Sequence, residues 1–234
     1  MKKTTLYIIT LIFMSCSYSQ EDKHESKKTE KPIVIPIENN FTAIDITGLD
    51  NIILEKGTTQ KIEITKGQEY QSLLKYSVIN NKLVISKENQ KKNRQIHLKI
   101  TYQNLNELKM VNVANVECIN AIQTTNLTAA IHNVANVDLA VNCDQLNLIC
   151  TNSADLTLTG LSKNNEIEVK NSANLNFLQL NVEQMNLIAK NGASGRISVS
   201  GKLSILLENY ASFSVKGSPT IIKKEIKNVA DFKM

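Results

Sequence analysis

Arginine is almost missing from this chain of 234 residues: Arg94 and Arg196 are the only two. The formal charge of +5 is therefore nearly all lysine. That removes the bidentate guanidinium contacts that phosphate and base recognition favour. Tryptophan is absent and aromatics reach only 5%, which argues against stacking platforms for bases or sugars. Nucleic acid is excluded as a partner on both counts. Histidine is limited to His24, His97 and His132, too few for a triad or a zinc set. Neither a catalytic residue nor a metal or other cofactor is expected. Beyond Cys16, the cysteines are Cys118, Cys143 and Cys150. Cys118 and Cys150 are expected inside as small hydrophobes, and Cys143 with Cys150 is the one disulfide to consider. Against these absences stand 42% hydrophobic and 21% charged residues. A chain of this length and composition can bury a core as one ordinary domain, or two small ones.

The first segment is not part of the fold. Lys2 and Lys3 precede a short apolar run, Thr5 to Met14, and then Ser15 and Cys16. The run is far shorter than the roughly 20 residues of a spanning helix, so residues 1–15 read as an export signal. Phe13-Met14-Ser15-Cys16 resembles the lipobox of bacterial lipoproteins, in which the Cys is lipidated. It departs from that pattern in having Phe13 where Leu is usual and Met14 where a small residue is usual. The alternative is ordinary cleavage near Ser17-Tyr18-Ser19. Residues 16–40 read as a tether. Gln20 to Lys31 has acids and lysines but no apolar residue, and Pro32 and Pro36 follow. Ser17 after the lipid-bearing Cys16 is not the Asp of inner-membrane retention. The resemblance therefore implies an outer-membrane anchor, with Glu21-Asp22 compatible with surface export.

From residue 108 a short pattern recurs. Its leading residues are Asn112, Asn133, Asn152, Asn171, Asn191, Asn209 and Asn228, at spacings of 21, 19, 19, 20, 18 and 19. A fixed period near twenty marks a solenoid, each repeat being one coil. Apolar residues stand two before each Asn (Met110, Ile131, Cys150, Val169, Ala189, Leu207, Ile226) and alternate with polar ones on both sides. Period two is strand patterning. Two after each Asn stands alanine: Ala114, Ala135, Ala154, Ala173, Ala193, Ala211 and Ala230. Each Asn is expected at a corner in the left-handed region, bonding along the stack as a ladder. Each Ala is expected at an inward corner too tight for a larger side chain.

These corners, and the opening Ile44-Asp45-Ile46-Thr47-Gly48-Leu49-Asp50, resemble the head GIN domain family of auto-transporter adhesins. The resemblance covers roughly residues 41–234 and implies an all-β, right-handed parallel β-helix. The family's corners read Gly-x-Ala-Asp. Here Asn replaces Gly at all seven, a change that keeps the same backbone. The family has no agreed catalytic residues, so none carries over.

Residues 41–107 are less regular than the repeats of 108–234. Ser77 to Ile85 reads as a hairpin with an Asn80-Asn81 turn, in a region expected to cap the first coils. Among acids, Glu117 with Asp138 forms one candidate pair on a shared ladder, and Glu166 with Glu168 another. Neither pair has an evident basic partner, so both read as solvated charges. Asp155 takes the place held by Asn115, Asn136 and Asn174 and reads as structural. The expectation is a non-enzymatic envelope lipoprotein, membrane-bound through Cys16, presenting a rigid surface for adhesion or for binding a glycan or surface protein. The alternatives are a structural or sensory envelope module and, third, a polysaccharide-acting β-helix enzyme. The sequence stops partway through a seventh coil rich in lysine (Lys223, Lys224, Lys227, Lys233). Lys224 falls at an inward position, a device against edge pairing, so the soluble domain is expected to be mainly monomeric.

Overall fold

The computed structural model describes residues 31–88, 93–152 and 154–234. The export signal, Cys16 and most of the expected tether lie outside these residues. The rest forms a parallel β-solenoid of about 7 turns with coils about 19 residues apart. Its repeating strands are Ile122–His132, Asn136–Thr151, Asp155–Lys170, Asn174–Lys190 and Ser194–Glu208, each paired in parallel with the next. Their burial alternates, as in Asn136–Thr151. Every second side chain therefore joins a ladder inside the coil. Leu108, Ala129, Leu148, Ile167, Leu187 and Ile205 form one such ladder, each at most 4% exposed. Full burial of each large side chain contributes about 1.5–3 kcal/mol. In another ladder, where Gly195 stands between Leu175 and Phe213, a Cβ would lie 2.7 Å from the Phe213 ring. The glycine makes room for the phenylalanine of the next coil.

The early coils are not stacked in chain order. Ala43–Thr47 pairs in parallel with both Lys82–Lys87 and Glu107–Val111. Asn51–Lys56 pairs likewise with His97–Tyr102 and Asn115–Cys118. The coil made of residues 43–56 is thus sandwiched between a later segment and the regular stack. Antiparallel strands close this end: Lys61–Lys66 on His97–Tyr102, Leu74–Ile79 on Lys82–Lys87, and Ile33–Pro36 on Lys61–Lys66. The hairpin turn is the expected one, with Asn80 (φ 51°) and Asn81 (φ 59°) both left-handed. Ile33–Pro36 corrects the expected tether boundary at residue 40. Ile35 is buried, and Pro36 is tolerated because the strand lies at an edge.

The alanine corners need a second correction. Ala154, Ala173, Ala193 and Ala211 are buried as expected, at 0–1% exposure. Ala114 is half-buried and Ala135 exposed, while Val113 and Val134 point inward in their place. The backbone explains the switch. At Asn112 and Asn133 one residue is left-handed, so the next one faces the core. At Asn171-Ser172, Asn191-Gly192 and Asn209-Tyr210 two consecutive residues are left-handed, which turns the second outward and the alanine inward. A β-branched valine resists positive φ. Val113 and Val134 avoid it and gain burial. Val229 adopts it, at φ 59°, and is 79% exposed in the last coil. Lys224, in register with Ile205, places its ammonium 4.7 Å from the Phe232 ring centre.

Candidate functional site

Each regular coil carries two outward polar positions three residues apart, one on either side of the corner, and stacking turns each into a ladder. The first consists of the seven corner asparagines. Asn133 Nδ2 donates to Asn112 Oδ1 at 3.0 Å, and the pattern repeats without a break from Asn152, Asn171, Asn191, Asn209 and Asn228 to the preceding Asn at 2.7–3.1 Å. Each has φ between 52° and 67°, a conformation that Asn adopts more readily than other residues with a Cβ.

The second ladder runs Asn51, Asn115, Asn136, Asp155, Asn174 and Ser194, all in register. Asn136 donates to Asn115 at 2.8 Å and Asn115 to Asn51 at 2.6 Å. Asn174 donates to Asp155 Oδ1 at 3.2 Å, and Ser194 to Asn174 at 3.3 Å. Asp155 has no amide with which to continue the series. Asn136 and Asp155 are neighbours in register, yet no side-chain hydrogen bond joins them, and this is the one step from Asn51 to Ser194 without one.

This interrupted ladder borders a groove of about 530 Å³ that crosses four coils. Asn51, Asn115, Asn136 and Asp155 line one side; Ile53, Glu117, Asp138 and Thr157 line the other. Thr65 and His97, from the antiparallel cap, close its N-terminal end. The Asn51 amide lies 3.3 Å from the His97 ring nitrogens, and Thr65 Oγ1 donates to the His97 carbonyl at 3.3 Å. Burial holds the His97 imidazole below its ordinary pKa, helped by the charge of Lys66.

Acids near the cap are mostly paired: Asp45 with Lys109 at 2.9 Å, Asp50 with Lys87 at 2.8 Å, Glu63 with Lys99 at 3.1 Å. Among the described residues, Glu117, Asp138 and Asp155 make no ion pair. The groove is thus a polar trough with uncompensated negative charge.

The other sequence candidates fall elsewhere. Glu168 pairs with Lys170, correcting the expectation that it has no basic partner, and Glu166 accepts from Asn186 at 2.8 Å. His132 shares a 2.8 Å hydrogen bond with Thr151. Cys143 and Cys150 are buried and not joined, and burial pushes the Cys150 thiol up to about 12. Cys118 is only half-buried, its sulfur accepting from the Ala140 amide at 3.0 Å. No group of three His, Cys, Asp or Glu among the described residues is placed to hold a metal ion. Sequence reasoning noticed the column of Asn115, Asn136, Asp155 and Asn174 but read it as structural. It missed the closure by Thr65 and His97, because strand pairing across thirty residues leaves no local pattern.

Residues 40–219 match the family model described as "Putative auto-transporter adhesin, head GIN domain". A putative adhesin of Bacteroides fragilis NCTC 9343 superposes with a TM-score of 0.78 at 23% identity, covering 87% of this chain and 97% of that one. A putative adhesin of Parabacteroides merdae ATCC 43184 gives 0.65 at 17% identity, over 87% and 95%. A structure from Parabacteroides distasonis ATCC 8503, described as a putative lipid binding protein, gives 0.66 at 14% identity, over 87% and 97%. At these identities the likeness establishes the fold. No curated protein matches the chain.

Proposed function

Because the chain belongs to the putative auto-transporter adhesin, head GIN domain family, we propose that it is a non-enzymatic protein of the cell envelope whose β-helix holds a binding surface away from the membrane. The observation that carries this reading is the groove over four coils, lined by exposed amides and unpaired carboxylates on a rigid stack. Stacked strands lock such side chains at fixed intervals of about 4.8 Å, which suits recognition of an extended surface. The anchor in this reading is a lipid on Cys16 in the outer membrane, supported by the apolar segment directly before it. The soluble domain is mainly monomeric in this reading, because Lys223, Lys224 and Lys227 stand exposed along its last long strand.

The test compares cells carrying the wild type with cells carrying Cys16→Ser. Labelled fatty acid should appear on the wild type only, and the variant should leave the membrane fraction and reduce adhesion of whole cells to a host-derived surface. A wild type that never takes up label would point to ordinary secretion. Adhesion independent of the protein would remove the binding role.

A further inference from the structure

The corner ladder closes upon itself, each amide satisfying the next, whereas the groove ladder stops at one step. Between Asn136 and Asp155 the chain of side-chain hydrogen bonds is broken, the Asp155 carboxylate having no N–H to donate, and the uncompensated Glu117 and Asp138 lie across the groove from them. We infer that the groove binds an extended linear polysaccharide free of acid groups, and that a hydroxyl or amino group of one sugar ring supplies the donor missing between Asn136 and Asp155. This rests on the adhesin reading and names the ligand class for the same groove.

Three observations select that class. Side chains along the groove repeat once per coil, at about 4.8 Å, close to the rise of one pyranose ring in an extended chain. A peptide strand on the same path rises only ~3.3 Å per residue and would slip out of step within a few coils. The charge is the second: three carboxylates without cations repel uronic acids and phosphates but accept hydrogen bonds from hydroxyls and ammonium groups. The third is the lining itself, which contains no Phe, Tyr or Trp and only the His97 imidazole at one end, so recognition falls to polar groups. Each ladder amide uses one N–H along the stack and keeps the other for a ligand.

The experiment measures binding of the full-length protein to β-1,4-linked glucosamine and N-acetylglucosamine oligosaccharides of increasing length, with polygalacturonate and polylysine as controls. Affinity should rise with length to about four rings, the reach of four rungs about 4.8 Å apart, and then level off. Asp155→Asn should place an amide against Asn136 Oδ1 and complete the ladder. It should weaken oligosaccharide binding about tenfold, as expected for losing a hydrogen bond to a charged group, while the melting temperature holds or rises. Glu183→Gln, an exposed acid outside the groove, should leave binding unchanged. Undiminished binding by Asp155→Asn would overturn the proposal. So would polylysine competing as well as the glycans, because simple charge would then suffice. If no glycan binds but cell adhesion persists and is lost in Asp155→Asn, the glycan class falls while the adhesin reading stands. If adhesion is absent as well, both fall.

Discussion

Two ladders built from the same amide chemistry, three residues apart in every coil, have opposite characters. The corner ladder holds Asn at every rung and closes each hydrogen bond internally. The second lies on extended backbone, substitutes Asp155 at one rung and opens beside a groove. The corner Asn is required by its backbone, so its side-chain bonds come with the fold. The neighbouring column has no such requirement and is free to vary. Composition alone would not separate the two. Backbone conformation does: Asn112 and its six equivalents have positive φ, whereas Asn115, Asn136 and Asn174 do not.

The contrast breaks most severely at the residue between the ladders. Ala173→Leu places a large side chain where alanine is fully buried. Overpacking should cost about 1–3 kcal/mol and lower the melting temperature by about 2–4 °C per kcal/mol. Ala135→Leu, at the exposed equivalent of an earlier coil, should stay within about 0.5 kcal/mol of wild type. Equal melting temperatures for the two variants would remove the distinction between corner types.

Asparagine deletions come next. Asn171→Ala forces a Cβ residue without a local hydrogen bond into φ 59° and breaks two ladder bonds. It should cost about 2 kcal/mol. Asn171→Gly keeps the backbone and should cost about 1 kcal/mol. Asn136→Ala, on extended backbone, should cost about 0.5 kcal/mol in chemical denaturation. An Asn136→Ala loss as large as that of Asn171→Ala would make the groove ladder equally structural. Smaller still, Asp155→Asn should raise stability by about 0.5 kcal/mol through the added ladder bond.

The smallest effect is in pH. His97 at the groove end has a folded-state pKa lowered by burial. Between the ordinary imidazole value of 6.5 and the lowered folded value, the unfolded chain then binds more protons than the folded one. Stability should therefore fall as pH drops through 6.5 towards the folded value, and should change no further from this group below it. His97→Gln should remove that slope from melting curves measured across the range. An unchanged slope would assign it to another group.

The repeat was legible because a period near twenty, seven alanines and alternating burial all point to one stack. Slipping a strand by one residue would turn its whole apolar set outward. The Asn80-Asn81 hairpin was legible for a local reason, since two consecutive left-handed residues suit a tight turn. Less legible was the N-terminal end. Ile33–Pro36 is short, follows Pro32 and ends on a proline, and becomes a strand only because Lys61–Lys66 offers it an edge.

The sequence by itself determined the solenoid, its register and the corner asparagines, because these follow from periodicity and from the few residues that tolerate positive φ. Only the tertiary structure decided which of Val113 or Ala114, and of Val134 or Ala135, enters the core. Valine disfavours the second left-handed position, yet Val229 adopts it in the last coil, so packing against the adjacent coils takes part in the choice. The same holds for the groove. Thr65 and His97 reach the end of the groove that holds Asp138 and Asp155 only after the cap folds back onto the stack. The repeat shows Asp155 in a column of Asn, but that the substitution interrupts a hydrogen-bonded ladder beside a groove follows only from the stacking of neighbouring coils.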